Sequence, residues 1–302
     1  MRILVTGASG QVGGALVPRL KGLGRVIASN ADTLDFATPD AIAAALDRFA
    51  PDLIVNPAAY TAVDQAEEER DLAMAVNAQA PAAIARWAAA HAVPLIHFST
   101  DYVYSGEGER PWREDDAAQP LSVYGASKLA GDRAILSGGG TPLILRTSWV
   151  YAARGENFLR TMARLARERA ELRIVADQIG APTSAALLAD AVTDIVAAGL
   201  DALRVRAFAA RGLAHLAAAG ETSWHGFACA IIEGLRARGV KLAVERTFPI
   251  RTEEYPTRAK RPHNSRLDMS RVRDVFGLTP MTWPAALAPE LDALAAELSR
   301  AG

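Results

Sequence analysis

Tyr124 and Lys128 stand four residues apart in the run Tyr124-Gly125-Ala126-Ser127-Lys128. On a helix that spacing puts a phenol and an ammonium on one face, where both reach the same ligand. With six tyrosines and four lysines in 302 residues, chance supplies such a pair only about 0.08 times, so it is read as chemistry. A phenol ordinarily titrates near 10, too high for easy proton exchange at neutral pH. A neighbouring cation favours the phenolate and lowers that value, which suits a tyrosine that protonates a carbonyl oxygen as a hydride reaches the carbon. Lys128 also has the reach to hydrogen-bond a nicotinamide ribose. Upstream, Phe98-Ser99-Thr100-Asp101-Tyr102-Val103-Tyr104 closes a β-rich segment. Successive strand residues face opposite sides, so one of Ser99 and Thr100 faces the ligand. Without such partners, a tyrosine stacked on a lysine stem at a helix surface is the commoner meaning of the pair.

The elements that must hold these groups begin at the N-terminus. Gly7, Gly10 and Gly13 are spaced three and three between the apolar run Arg2–Thr6 and an amphipathic stretch Gln11–Lys21. Glycine there allows a tight turn, close approach of the backbone to a pyrophosphate and close helix–strand packing, and the helix N-terminus attracts phosphate. The strands predicted next are Arg25–Ala28, Asp52–Asn56, Pro94–Ser99 and Leu143–Thr147. Helices are predicted between them at Pro39–Phe49, Asp71–Ala90 and Tyr124–Leu136, the first with Thr38 as N-cap. This alternation predicts an α/β fold, a Rossmann-type doubly wound parallel sheet with a smaller C-terminal substrate-binding region. The cofactor half is expected over residues 1–150, its soft boundary reaching about 170, and a partly interleaved substrate half over 151–302. In that second half Asn157–Glu168, Ser184–Gly199, Trp224–Arg238 and Pro284–Arg300 read as helices, and Arg173–Val175 and Lys241–Thr247 as strands. Where an acid would grip the adenosine ribose of NAD, the second strand ends Ala28-Ser29-Asn30, which decides neither for NAD nor for NADP. Asp32 and Asp35 follow a little further on.

Composition excludes several classes. A net charge of −1 advertises neither nucleic acid nor a membrane surface. Half the residues are hydrophobic and 22% charged, as in ordinary globular proteins. Cys229 is the single cysteine, so no internal disulfide forms, and it reads as a small core residue. No apolar run reaches about 18 residues and the first residues lack a signal-peptide layout, so a soluble cytoplasmic location is expected. The five histidines show no metal-binding spacing, and no metal site is assigned.

In these motifs the chain resembles the extended short-chain dehydrogenase/reductases and, within them, the dTDP-4-dehydrorhamnose reductase family. The resemblance spans nearly the whole length: Gly7–Gly13, Asn56-Pro57-Ala58-Ala59-Tyr60-Thr61-Ala62-Val63-Asp64, Ser99–Tyr104, Tyr124–Lys128, Arg146-Thr147-Ser148-Trp149-Val150-Tyr151, Gly180-Ala181-Pro182-Thr183 and Arg261-Pro262-His263-Asn264-Ser265-Arg266-Leu267. It implies NADPH-dependent reduction of a 4-keto dTDP-sugar, with NADH as an open second cofactor. Thr100 would polarise the keto oxygen, Tyr124 would donate the proton, and Lys128 would hold the ribose and tune Tyr124. Gly7, Gly10, Gln11, Val12 and Gly13 would cover the pyrophosphate, and Asn30, Asp35, Phe36, Ala59, Tyr60 and Thr61 would line the rest of the cofactor. Thr100, Asp101, Trp149, Arg261, Asn264 and Ser265 would meet the sugar nucleotide. The resemblance also brings in Mg²⁺-bridged homodimers, but Ala15 and Ala186 offer no carboxylate at the matching places. Other nucleotide-sugar keto reductases or epimerases, such as GDP-fucose synthases, and non-catalytic subunits like the methionine adenosyltransferase β subunit remain alternatives.

The segment Arg251–Arg266 concentrates Arg251, Arg258, Lys260, Arg261 and Arg266. Guanidinium forks suit a diphosphate, while a charge run is more commonly a solvated loop; the resemblance through Arg261–Leu267 favours the substrate. Of Trp149, Trp224 and Tyr255, only Trp149 is assigned a functional place.

Overall fold

The computed structural model describes residues 1–300. Its elements, in chain order, are β1 Arg2–Val5, α1 Gln11–Leu20, β2 Arg25–Ala28, α2 Ile42–Phe49, β3 Leu53–Asn56, α3 Arg70–Met74, α4 Ala80–Ala90, β4 Leu95–Thr100, α5 Val123–Ser137 and β5 Pro142–Thr147. Then follow β6 Val150–Tyr151, α6 Phe158–Glu168, β7 Glu171–Val175, β8 Ile179–Gly180, β9 Thr183–Ser184, α7 Ala185–Ala197, α8 Leu200–Ala209, β10 Leu213–His215, β11 Thr222–Ser223, α9 Trp224–Ala237, β12 Arg246–Ile250, α10 Ser270–Phe276 and α11 Trp283–Arg300.

Six strands form one parallel sheet in the order β2-β1-β3-β4-β5-β10. The chain leaves β1 toward one edge and returns to the other side at β3, which opens a ligand crevice at the carboxyl ends of these two strands. Both faces of the sheet are covered. Ile3, Val5, Leu53 and Val55 pack with Leu16 and Leu20 of α1 and with Leu188 and Val192 of α7. Leu4, Ile54, Leu95 and Ile144 point the other way, onto Leu46 of α2 and Ile84 of α4. Burial on both faces is why these strands read as continuous apolar runs instead of alternating ones. A third cluster, with Leu159, Phe227, Ile231, Leu287 and Leu291, joins α6, α9 and α11 in the second half.

Differences from the sequence reading are local. Strand β10, from the second half, completes the main sheet, and α8, α10 and β10 were not foreseen. The Lys241–Thr247 strand lies instead at Arg246–Ile250, paired with β7. Thr38 does not cap; a 3₁₀ turn at Pro39–Ala41 precedes α2, and the Thr38 hydroxyl donates to Asp35 Oδ2 at 3.1 Å. Between α3 and α4 the helix widens into a π segment, Ala75–Gln79. Among the described residues no helix is long and apolar enough to cross a membrane.

Candidate active site

The glycine turn is built for close approach. Gly7 adopts φ +54°, and a Cβ there would lie 2.9 Å from the Ala58 Cα. A Cβ on Gly13 would stand 2.2 Å from the Gly7 carbonyl oxygen, so α1 sits against the turn itself. No side chain caps the first turn of α1, which leaves its N–H groups for a phosphate. These residues fit a dinucleotide. Val12 packs on the sheet core. Gln11 Oε1 accepts from Asn157 Nδ2 at 2.9 Å, tying the turn to the start of α6. At the end of β2, Asn30 Nδ2 donates to Asp32 at 3.2 Å. Asp35 accepts from the Ala37 N–H at 2.8 Å, and the Phe36 side chain is core.

Behind β3, the loop Ala59-Tyr60-Thr61 is held by Asn77, which lies in the π segment. Its Oδ1 accepts from the Tyr60 N–H at 2.9 Å, while its Nδ2 lies 3.0 Å from both the Tyr60 carbonyl and Ser127 Oγ on α5. A π segment at a functional site is a common association, and here it fastens the loop to the helix that carries Tyr124. Burial and a 2.7 Å hydrogen bond to Glu69 push the Tyr60 phenol up to about 12.

Helix α5 starts where Ser122 Oγ accepts from the Gly125 N–H at 3.2 Å. Gly125 is required there, since a Cβ would lie 2.2 Å from the Tyr102 carbonyl. That contact seats α5 on the turn after β4 and brings the Tyr124 and Tyr102 rings edge to face at 5.5 Å. Thr100 Oγ1 accepts from the Tyr102 N–H at 3.2 Å and donates to Asp101 Oδ1 at 3.1 Å. Burial pushes the half-buried Tyr124 phenol well above its ordinary value, with Thr100 opposing as a hydrogen-bond partner.

Lys128 is 2% exposed and turned toward β4, donating to the Phe98 carbonyl at 2.7 Å and lying 3.2 Å from His97 Nε2. His97 Nδ1 is 2.9 Å from Asn56 Nδ2, and Asn56 Oδ1 accepts from Thr6 Oγ1 at 2.5 Å. One buried chain thus joins β1, β3, β4 and α5. Burial lowers Lys128 to about 8, with Asp132 opposing, and burial and Lys128 hold His97 well below its ordinary value. Asp132 is itself paired with buried Arg146 at 3.0 Å. The lowering of Tyr124 expected from Lys128 is therefore absent here: the ammonium points to β4, and burial dominates the phenol.

Next to Thr100, the Asp101 side chain meets Ser265. Both are 1% exposed, and neither Asp101 Oδ2 nor Ser265 Oγ completes a hydrogen bond. Burial pushes the Asp101 carboxyl up to about 7, against the lowering effect of Ser265 and Thr100. Trp149 takes φ +49°, an uncommon conformation for a bulky residue and one associated with functional sites. Its indole stacks on Trp224 at 3.7 Å, and Trp224 Nε1 donates to Gln178 Oε1 at 3.1 Å. Gly180 leaves room for this, since a Cβ there would lie 2.8 Å from the Trp149 ring and 3.0 Å from Ser265 Cβ. Arg261 and Asn264 have protein partners. Arg261 binds Asp64 at 2.6 Å, beside an Arg258–Glu68 pair at 2.6 Å. Asn264 Nδ2 donates to the Arg110 carbonyl at 2.8 Å, and its Oδ1 accepts from the Arg266 N–H at 3.2 Å. Together these contacts fasten the segment on either side of Ser265.

The family model described as RmlD substrate binding domain matches residues 1–296. A dTDP-4-dehydrorhamnose reductase of Burkholderia thailandensis is 45% identical over 289 residues, 95% of this chain and 97% of the relative. The chain belongs to this reductase family. A crystal structure of a family member from Clostridium acetobutylicum superposes with a TM-score of 0.88 at 34% identity, over 97% of this chain and 99% of that one. The Bacillus anthracis dTDP-4-dehydrorhamnose reductase, solved in complex with NADP, gives 0.84 at 32% identity over 98% and 99%.

Asn77, His97, Trp224 and Gln178 contact the candidate site or its neighbours and were passed over in the sequence reading. Only Trp224 carried a signal, as an aromatic beside the second-half motifs. Among the described residues no group of three His, Cys, Asp or Glu side chains is placed to hold a metal ion.

Proposed function

We infer that this protein reduces dTDP-4-dehydro-6-deoxy-L-mannose at C4 to dTDP-L-rhamnose with a nicotinamide cofactor. The observation that supports the reading best is that Thr100 at the end of β4 and Tyr124 and Lys128 on α5 lie together beside β4, with Asp101 against Thr100 and Ser265. When bound, a reduced nicotinamide supplies a hydride to the carbonyl carbon. The chain's own work is on the oxygen. Thr100 and Tyr124 converge from β4 and α5 to bind it, and Tyr124, whose phenol is held protonated by burial, delivers the proton. Lys128, fixed by the Phe98 carbonyl and beside His97, keeps a donor for the ribose. Trp149 on Trp224 offers a flat apolar wall for the sugar nucleotide.

NADPH is the preferred cofactor in this reading, supported by the family member solved in complex with NADP; NADH is tolerated. The cofactor binds to the half ending near residue 150–170, and the sugar nucleotide chiefly to the remainder. The test is absorbance of NADPH with the 4-keto dTDP-sugar freshly made by its 3,5-epimerase, run beside the GDP-linked 4-keto sugar and beside NADH. Loss of NADPH only with the dTDP substrate is expected; equal use of the GDP sugar would move the assignment to a different nucleotide-sugar reductase.

A further inference from the structure

In the reading above Thr100 hydrogen-bonds the keto oxygen, yet its hydroxyl donates to Asp101. A hydroxyl has one proton and two lone pairs. The Tyr102 N–H takes one lone pair at 3.2 Å, and the Tyr124 phenol oxygen competes with Asp101 for the Thr100 proton. If Asp101 is ionised its oxygens only accept, the Thr100 proton is engaged at 3.1 Å, and Thr100 would face a carbonyl oxygen lone pair to lone pair. Reversing this bond removes the conflict. A carboxylic acid donates to the second lone pair of Thr100, and the Thr100 proton turns toward the substrate.

The surroundings favour the acid. Asp101 is 1% exposed and its side-chain partners, Thr100 and Ser265, are both neutral hydroxyls, so a carboxylate there would be a buried charge with no cation beside it. The groups that face it are Tyr102 of its own turn, Tyr124 of α5, and Ser265 of the Arg261–Leu267 segment. Lys128 of α5 is turned to the Phe98 carbonyl, and Arg261 is held by Asp64. The carboxyl's displacement upward to about 7 agrees with this geometry.

We propose that Asp101 acts as a neutral carboxylic acid that donates to Thr100 and thereby aims the Thr100 proton at the substrate's keto oxygen. It is a positioning residue, and the proposal rests on the reductase reading above. The pH dependence has a definite sign: the active form carries the proton, so turnover falls as pH rises through the Asp101 titration.

The experiment compares kcat against pH for wild type, Asp101→Asn and Asp101→Leu, with thermal melts to check folding. Infrared difference spectra of wild type minus Asp101→Asn, recorded without cofactor, read the protonated carboxyl directly. Wild-type kcat should fall about tenfold per pH unit above the titration, as a single required proton dictates. Asp101→Asn should be several-fold slower than wild type at pH 6 and should lose the limb that begins near 7, keeping only the later fall from Lys128 near 8, because an amide N–H donates to Thr100 at every pH. Asp101→Leu should lie roughly 10²-fold below wild type, the usual cost of a misaimed oxyanion donor. A carboxylate-only spectrum at pH 6, or the limb near 7 persisting in Asp101→Asn, would overturn the proposal. Absence of turnover in the wild type with the protonated carboxyl band present would instead sink the reductase reading.

Discussion

Two adjacent glycines on α1 should respond oppositely to the same methyl group. At Gly13 a Cβ would meet the Gly7 carbonyl oxygen at 2.2 Å, the Gly7 carbonyl carbon at 2.8 Å and the Ala8 Cα at 2.9 Å, all of them backbone. Ordinary contact begins at 3.4 Å, so Gly13→Ala must displace the turn by about 1 Å, a shift on the scale that upsets positioned groups. Overpacking of this kind costs ~1–3 kcal/mol. At Gly14 the nearest atom to a Cβ is the Ala8 carbonyl oxygen at 3.5 Å. There is space, and removing a glycine from a helix interior contributes about 0.5–1 kcal/mol. For a chain of this size 1 kcal/mol moves the melting temperature by roughly 2 °C. Gly13→Ala should melt about 2–6 °C lower and bind NADPH at least about tenfold more weakly by fluorescence titration, because the displaced turn carries the phosphate donors. Gly14→Ala should melt ~1–2 °C higher with unchanged NADPH affinity. If both variants bind NADPH as wild type does, the glycine turn is not the pyrophosphate cradle.

Three further outcomes follow from particular contacts. Gly125→Ala puts a Cβ 2.2 Å from the Tyr102 carbonyl, so kcat should drop by about 10² or more while NADPH affinity holds; unchanged kcat would show that α5 need not touch the turn after β4. Burial lowers His215 to about 3 and His97 well below its ordinary value, so below pH ~6.5 the unfolded chain binds protons that the native state refuses. Stability is then lost as pH falls, by ~1.4 kcal/mol per pH unit for each histidine; urea midpoints at pH 7, 6 and 5 test this, and His215→Gln should remove one such increment of slope. Trp224→Ala removes the stack under Trp149 and should raise KM for the sugar nucleotide several-fold with little change in KM for NADPH, whereas a rise in both would make the tryptophan pair a general packing element.

The sheet was largely legible because β1 to β5 are short apolar runs separated by helices of ordinary length. Strand β10 was not, since three residues, Leu213-Ala214-His215, become a strand only by pairing with β5. The Lys241–Thr247 strand was displaced because its pairing with β7 decides which residues extend. At the site, spacing placed Tyr124 and Lys128 on one face, and the structure brings both beside β4. Spacing carried no information on where the ammonium points, and the Phe98 carbonyl and His97 draw it away from the phenol. Asn77 lay hidden in an alanine-rich helix because its role depends on a loop seventeen residues upstream. Arg261 was read as a substrate ligand from the resemblance through Arg261–Leu267, charge alone deciding nothing; its pairing with Asp64, almost two hundred residues earlier, left no mark in the sequence.

The central claim is that Tyr124 protonates a keto oxygen on a dTDP-linked sugar, and a paired turnover assay addresses it directly. Wild type and Tyr124→Phe are incubated with NADPH and the freshly epimerised 4-keto dTDP-sugar, with product identity read by NMR and NADPH affinity measured separately. Wild type should yield dTDP-L-rhamnose with one NADPH consumed per product, and Tyr124→Phe should be slower by about 10²–10⁴ at unchanged NADPH affinity. No NADPH consumption by wild type, or full activity in Tyr124→Phe, would contradict the account.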